Sequence, residues 1–144
     1  MSRGSPNIGV VCLLAVAALV TLASTADARC YQYEPATVTV TGLIFLRTDF
    51  GPPNYGEDPA HDSRERHIYI RLDKRLCVEA DVEGEAEANV RVMQMVYMIH
   101  LPFKLEWVGK HVSVTGTLLH GHTGHHWTKV LIIPSTTQIL RPGK

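Results

Sequence analysis

Hydrophobic and polar positions divide this chain into one continuous apolar run and a series of alternating ones. The continuous run is Ile8 to Ala23. The first alternating run is Thr37 to Leu46, where Val38 and Val40 alternate with Thr37, Thr39 and Thr41. A period of two over β-branched residues predicts a strand, and Gly42 falls where a strand bends sharply or bulges. His67 to Leu72 alternates again and predicts a second strand. Asp73-Lys74 reads as a turn, with Leu76-Cys77-Val78 a short extended piece after it. Asn89 to Tyr97 sets Val90, Val92, Gln94 and Val96 against Arg91, Met93, Met95 and Tyr97, a third strand. Val112 to His120 and Trp127 to Ile133 flank Gly121-His122-Thr123-Gly124 and predict a hairpin with its tip near Thr123-Gly124.

The intervening segments are polar. Thr48 to Arg66 carries Pro52, Pro53, Pro59, Gly51 and Gly56 among many charges, so it predicts a loop. A loop of this length in a compact domain is functional or mobile. Pro102 permits no more than a short helical turn in the stretch to Trp107. Arg141 to Lys144 reads as an unstructured tail. About five strands, a bent first strand, one short helical turn before the fourth and a closing hairpin predict an all-β fold. The expected form is a small five-stranded OB-like Greek-key barrel. An open β-sandwich is the alternative, but closure protects the edges of so small a sheet.

The continuous apolar run changes the picture of where the protein works. Arg3 precedes it, and Ala26 and Ala28 follow it as an A-x-A cleavage site. A basic start, an apolar centre and a small-residue exit predict a cleavable signal peptide over residues 1–28, leaving one β-barrel domain over 29–144. The run is short for a bilayer span, which takes about 20 residues, so an uncleaved anchor is the less favoured reading. No other segment is apolar enough to cross a membrane. Cys30 as a lipidation site is disfavoured by Arg29, where a small residue is needed. The expected location is periplasmic or secreted. Cys12 leaves with the leader, and Cys30 and Cys77 remain as an even pair in an oxidising compartment, read as a disulfide. A pair of thiols at a redox or metal site is the alternative, without a C-x-x-C spacing behind it. The bridge closes a long loop and is worth roughly 4 kcal/mol in the chain-entropy account.

Charge excludes one class of partner. Lys plus Arg and Asp plus Glu number 14 each, and the leader removes one of each sign. A neutral domain has no surplus of cations with which to displace counterions, so nucleic acid is not an expected partner.

Four of the eight histidines fall in one short stretch: His120, His122, His125 and His126. Imidazole suits Zn, Cu and Ni. Residues i and i+2 of a strand share a face, so His120 and His122 are expected to point one way. The turn would then bring His125 or His126 back beside them as a third metal ligand. The plainer reading is a polar hairpin tip. Glu79, Asp81, Glu83, Glu85 and Glu87 fall on every second position and would line one face if extended. They lack the spacing of a calcium-binding EF-hand loop, and read as a solvated loop. In the long loop, Tyr55, His61 and Arg64 are candidate ligand-binding residues, since aromatic rings beside cations suit anionic or ring-bearing ligands. Nucleophilic catalysis has little support: there is no G-x-S-x-G motif and no glycine-rich phosphate loop.

Several segments also carry a resemblance. Cys30-Tyr31, Glu34 to Val38, Pro52 to Tyr55, Arg71-Leu72-Asp73 with Cys77-Val78, and Asn89-Val90 come first. Val108-Gly109-Lys110, Val112, Val114 to Leu118 and the His120 to His126 stretch with its T-G-H-H complete the order. Together they resemble an uncharacterised domain-of-unknown-function family of small secreted bacterial proteins. The resemblance implies a periplasmic or secreted setting and places both cysteines in the family pattern. It implies no activity. Trp127 stands where a further histidine is expected. Three readings follow, in order of support: a non-enzymatic binding module for a small ligand or an envelope protein, a metal-handling protein with Zn or Cu on the histidine hairpin, and a metal-dependent hydrolase. The last needs a carboxylate base beside the metal.

Overall fold

The computed structural model of the chain describes residue 1 and residues 30–99 and 102–141. Residues 2–28 of the expected leader, and the last three residues of the tail, lie outside the described residues. Five strands form: Thr37–Phe50 (β1), Arg64–Val78 (β2), Glu87–Met95 (β3), His111–His120 (β4) and Val130–Ile139 (β5). They close into a barrel in the order β1-β2-β3-β5-β4, with β4 paired back onto β1. Every junction is antiparallel except β3 with β5, which is parallel and brief: Gln94 faces Leu131 and Met95 faces Ile132. This is the all-β, OB-like ring that the alternation predicts. The helical content among the described residues is a single 3-10 turn, Leu105–Trp107, just after Pro102. No helix among them is long and apolar enough to cross a membrane.

The inward phase of each strand builds the core. β1 contributes Val38, Val40 and Ile44, β2 contributes Ile70, Leu72, Leu76 and Val78, and β4 contributes Val112, Val114 and Leu118. Each such side chain fully buried is worth roughly 1.5–3 kcal/mol. Gly42 sits between Val40 and Ile44 for a steric reason. A Cβ there would stand 2.3 Å from the Arg71 carbonyl oxygen, so β1 can turn from β4 to β2 only where no side chain intervenes.

Three boundaries depart from the alternation. β1 continues past Leu46 to Phe50, because Arg47 to Phe50 pair with His67 back to Arg64. β2 runs straight through Asp73-Lys74 instead of turning. Its pairing steps from Arg71↔Val92 to Leu76↔Val90, so the extra β2 residues bulge. A turn there would have carried Leu76 and Val78 out of the core. In β3 the core-facing residues are Met93 and Met95, while Gln94 is buried on the opposite face. The acidic segment between β2 and β3 is not extended. Asp81 Oδ1 accepts the N–H groups of Glu83 at 2.9 Å and Gly84 at 2.6 Å, folding the chain back.

Cys30 and Cys77 are joined in a disulfide. Beside it Tyr31 bridges Val78 in parallel: its N–H donates to Cys77 and its carbonyl accepts from Glu79, both at 2.8 Å. The segment ahead of β1 is thereby laid along the end of β2.

Candidate functional site

One end of the barrel collects the residues with chemical potential. The loop over 51–63 is organised by Asp62, which is buried. Its carboxylate accepts the N–H of Asn54 at 2.8 Å and of Gly56 at 2.7 Å. Burial alone would raise the Asp62 pKa, but the backbone N–H groups of Gly56, Asn54 and Asp58 outweigh it and hold the carboxyl below its ordinary range. The loop is therefore built rather than slack, and it presents Tyr55 at φ 54°. Asn54 and Gly56, whose N–H groups Asp62 holds, flank it in that conformation.

Tyr55 meets the β4–β5 connection. Its hydroxyl lies 3.3 Å from His125 Nε2, and the two rings pack edge to face at 5.3 Å. Gly124 passes under the Tyr55 ring, leaving a Cβ only 3.2 Å from it. The connection turns where expected, with the His126 N–H donating to the Thr123 carbonyl at 3.0 Å. After the turn the chain does not run directly into a strand. Residues 125–128 fold back over the outer face of β2 and β3, and β5 begins only at Val130. Gln94 holds them there. Its amide donates to the His125 carbonyl at 3.1 Å and its oxygen accepts the Trp127 N–H at 2.9 Å. The backbone N–H of Gln94 donates to Thr128 Oγ1 at 2.9 Å. Trp127 then stacks on His67 of β2, with ring centroids 3.9 Å apart.

Under this cover lies a second, polar-edged cluster. Tyr69 is fully buried on the outer face of β2 and stacks on Phe45 at 5.5 Å. Its hydroxyl donates to Asp49 in a short hydrogen bond and accepts from Arg47 at 2.8 Å. Burial, then the Asp49 carboxylate, pushes the Tyr69 pKa well up, so it is a neutral phenol. The outer face of strands 2 and 3 is the surface on which OB-folds bind oligonucleotides and oligosaccharides. Here its upper part is occupied by the protein's own Trp127 and Gln94 contacts.

The four hairpin histidines are divided among three environments. His120 packs edge to face on Tyr33 at 6.0 Å, and its Nδ1 is buried without a hydrogen-bond partner. His122 and His126 face one another at 5.3 Å, and His125 faces Tyr55. β4 ends at His120 and alternation ends with it, so the strand period does not extend to His122. Among the described residues no three His, Cys, Asp or Glu side chains are grouped as a metal site. No carboxylate among them hydrogen-bonds any of the four imidazoles, although Asp81, Glu83 and Glu34 line a pocket of about 210 Å³ with His120 and His122.

Hydrogen bonding fixes two tautomers. His122 Nδ1 lies 2.9 Å from the His120 carbonyl, so it carries the proton and leaves Nε2 with a free lone pair. His126 Nδ1 accepts the His122 N–H at 3.1 Å, so it carries none. Burial, then His122 and His125, lowers the His126 pKa and keeps the imidazole neutral. The other candidates in the long loop are set apart. His61 is exposed and bonds Asp58 at 2.7 Å, and Arg64 lies over the Phe50 ring at 3.7 Å. Alternation offers His67 and Gln94 only as strand residues, and no local signal marks the chain segment that covers them.

Residues 103–133, from Phe103 through the 3-10 turn, β4 and the histidine connection into β5, match a family described as a domain of unknown function (DUF4431). No curated protein and no solved structure matches the chain.

Proposed function

We propose that this protein is a secreted or periplasmic, non-enzymatic binding module. Its recognition edge is the end of the barrel where the 51–63 loop meets the β4–β5 connection, and it takes a small ligand or an envelope protein. The observation that carries this reading is the contact of Tyr55 with His125 and Gly124. It joins two loops far apart in sequence into one surface on a closed scaffold, the usual arrangement for recognition loops. Tyr55 supplies an exposed ring on that surface, Arg64 supplies an exposed cation where the same loop enters β2, and the buried Asp62 holds the loop in place. The test is a thermal-shift screen of glycans, peptides and amphiphiles against the wild type and a Tyr55→Ala/Arg64→Ala variant. Ligands that raise the Tm of the wild type alone support the assignment. Ligands that raise both equally overturn it.

A second reading, Zn or Cu binding, is favoured by one observation. His122 donates Nδ1–H to a backbone carbonyl and leaves Nε2 open, the arrangement that orients a metal-ligating imidazole. Zinc titration of wild type and His122→Ala tests it: stoichiometric zinc lost in the variant supports metal handling, and equal weak binding by both removes it.

A further inference from the structure

A second concavity lies on the outer wall of the barrel, several residues back along β1 from the loop end. It has a volume of about 500 Å³ and is lined by Leu43, Arg71, Leu72, Asp73, Arg91, Val92 and His111. Strand register puts its walls in place. Leu43 is paired with Arg71 of β2 on one side and with His111 of β4 on the other. Adjacent strands lie roughly 4.8 Å apart, so a cation and an imidazole rise on either side of an apolar floor. Arg71 is in turn paired with Val92, and Arg91 is its chain neighbour.

The polar groups are unequally committed. Both arginines are exposed. Neither guanidinium takes part in an ion pair or a side-chain hydrogen bond among the described residues. Asp73, by contrast, is engaged at both oxygens. One oxygen accepts from Thr41 Oγ1 and the other from His111 Nε2, each at 2.6 Å. The Thr41 hydroxyl first, and then His111, hold its pKa below the ordinary range. The carboxylate is thus spent in fixing the imidazole. His111 presents Nδ1 away from that bond, and two unpaired guanidinium groups remain. Guanidinium forks match the oxygens of carboxylates and phosphates two at a time. Leu43 and Val92 offer contact to an apolar body but none to a second charge.

We propose that this concavity is a binding site for a small oxyanion carrying an apolar group, with Arg71 and Arg91 gripping the anion and Leu43 under the apolar part. The site stands apart from the loop edge and does not depend on it.

Phenyl phosphate is the probe, titrated into the full mature chain and followed by amide chemical shifts. The expected result is saturable shifts at Leu43, Arg71, Arg91 and His111 in the millimolar range or tighter. Phenol and inorganic phosphate should each bind about tenfold or more weakly, since each lacks one half of the recognition. Arg71→Gln and Arg91→Gln should each reduce affinity about tenfold, while a Lys74→Ala/Arg75→Ala control leaves it unchanged. Both arginines are exposed strand residues, and the retained amide spectrum of each variant establishes that it is folded. Phenol binding as well as phenyl phosphate, unchanged affinity in the folded Arg71→Gln/Arg91→Gln double variant, or shifts confined to another face would each overturn the proposal.

Discussion

Gln94 shows how much one side chain can organise. It is polar, buried and directed away from the core, and both ends of its amide hold the backbone of the β4–β5 connection. Gln94→Ala leaves the Trp127 N–H and the His125 carbonyl without that partner, each lost hydrogen bond costing about 1 kcal/mol or more. We expect a loss of about 2 kcal/mol in urea denaturation, together with loss of the Trp127 stacking signal in near-ultraviolet circular dichroism. Unchanged stability and an unchanged aromatic signal would show that the connection holds itself. His126 makes a prediction in pH. Its folded pKa lies below the ordinary value, so as pH falls through about 6.5 the unfolded chain takes up the proton first and stability falls. Between pH 7.5 and pH 5.5 the wild type should therefore lose more stability than His126→Gln. Equal losses would place the titration elsewhere.

At the scale of elements, what alternation reveals and what it conceals have a common origin. Val38, Val40, Ile70, Leu72, Val112 and Val114 each lie on the core face, and a period of two is sufficient to find the strands that carry them. Asp73-Lys74 reads as a turn when only its neighbours are considered, because both residues are charged. The strand continues there because Leu76 and Val78, further on, need the core. The histidine hairpin forms and turns where expected, with β4 paired to β5, but its second strand starts later than Trp127. Trp127 finds His67 and Gln94, more than thirty residues away in sequence, and lies across them. Long-range packing of this kind has no local period. Gly42 is the element-scale residue whose role was legible from the start, and the close approach of the Arg71 carbonyl supplies the reason. Gly42→Ala should destabilise the barrel by more than about 2 kcal/mol, since a backbone oxygen cannot step aside as a side chain can. A variant that melts with the wild type would mean that β1 can bend elsewhere.

For the molecule as a whole, the disulfide is the device that ties the segment ahead of β1 to the end of β2. The bridge spans 47 residues. Replacing both cysteines, Cys30→Ala/Cys77→Ala, should cost about 4 kcal/mol in the chain-entropy account. Equilibrium unfolding of the variant against the oxidised protein measures it, and a difference near zero would mean that the Tyr31 bridge to Val78 suffices to hold the N-terminal segment.

The parallel junction of β3 with β5 has a consequence of its own. A sheet closed on itself offers no row of free N–H and C=O groups to a passing chain, and so resists templated growth into fibrils. Here that protection is only as firm as its shortest seam, the two facing pairs Gln94–Leu131 and Met95–Ile132. If that seam opens, β3 and β5 both become edges at once, and two molecules opened in the same way can close on each other. The safeguard against aggregation thus lies at a contact that also depends on Gln94.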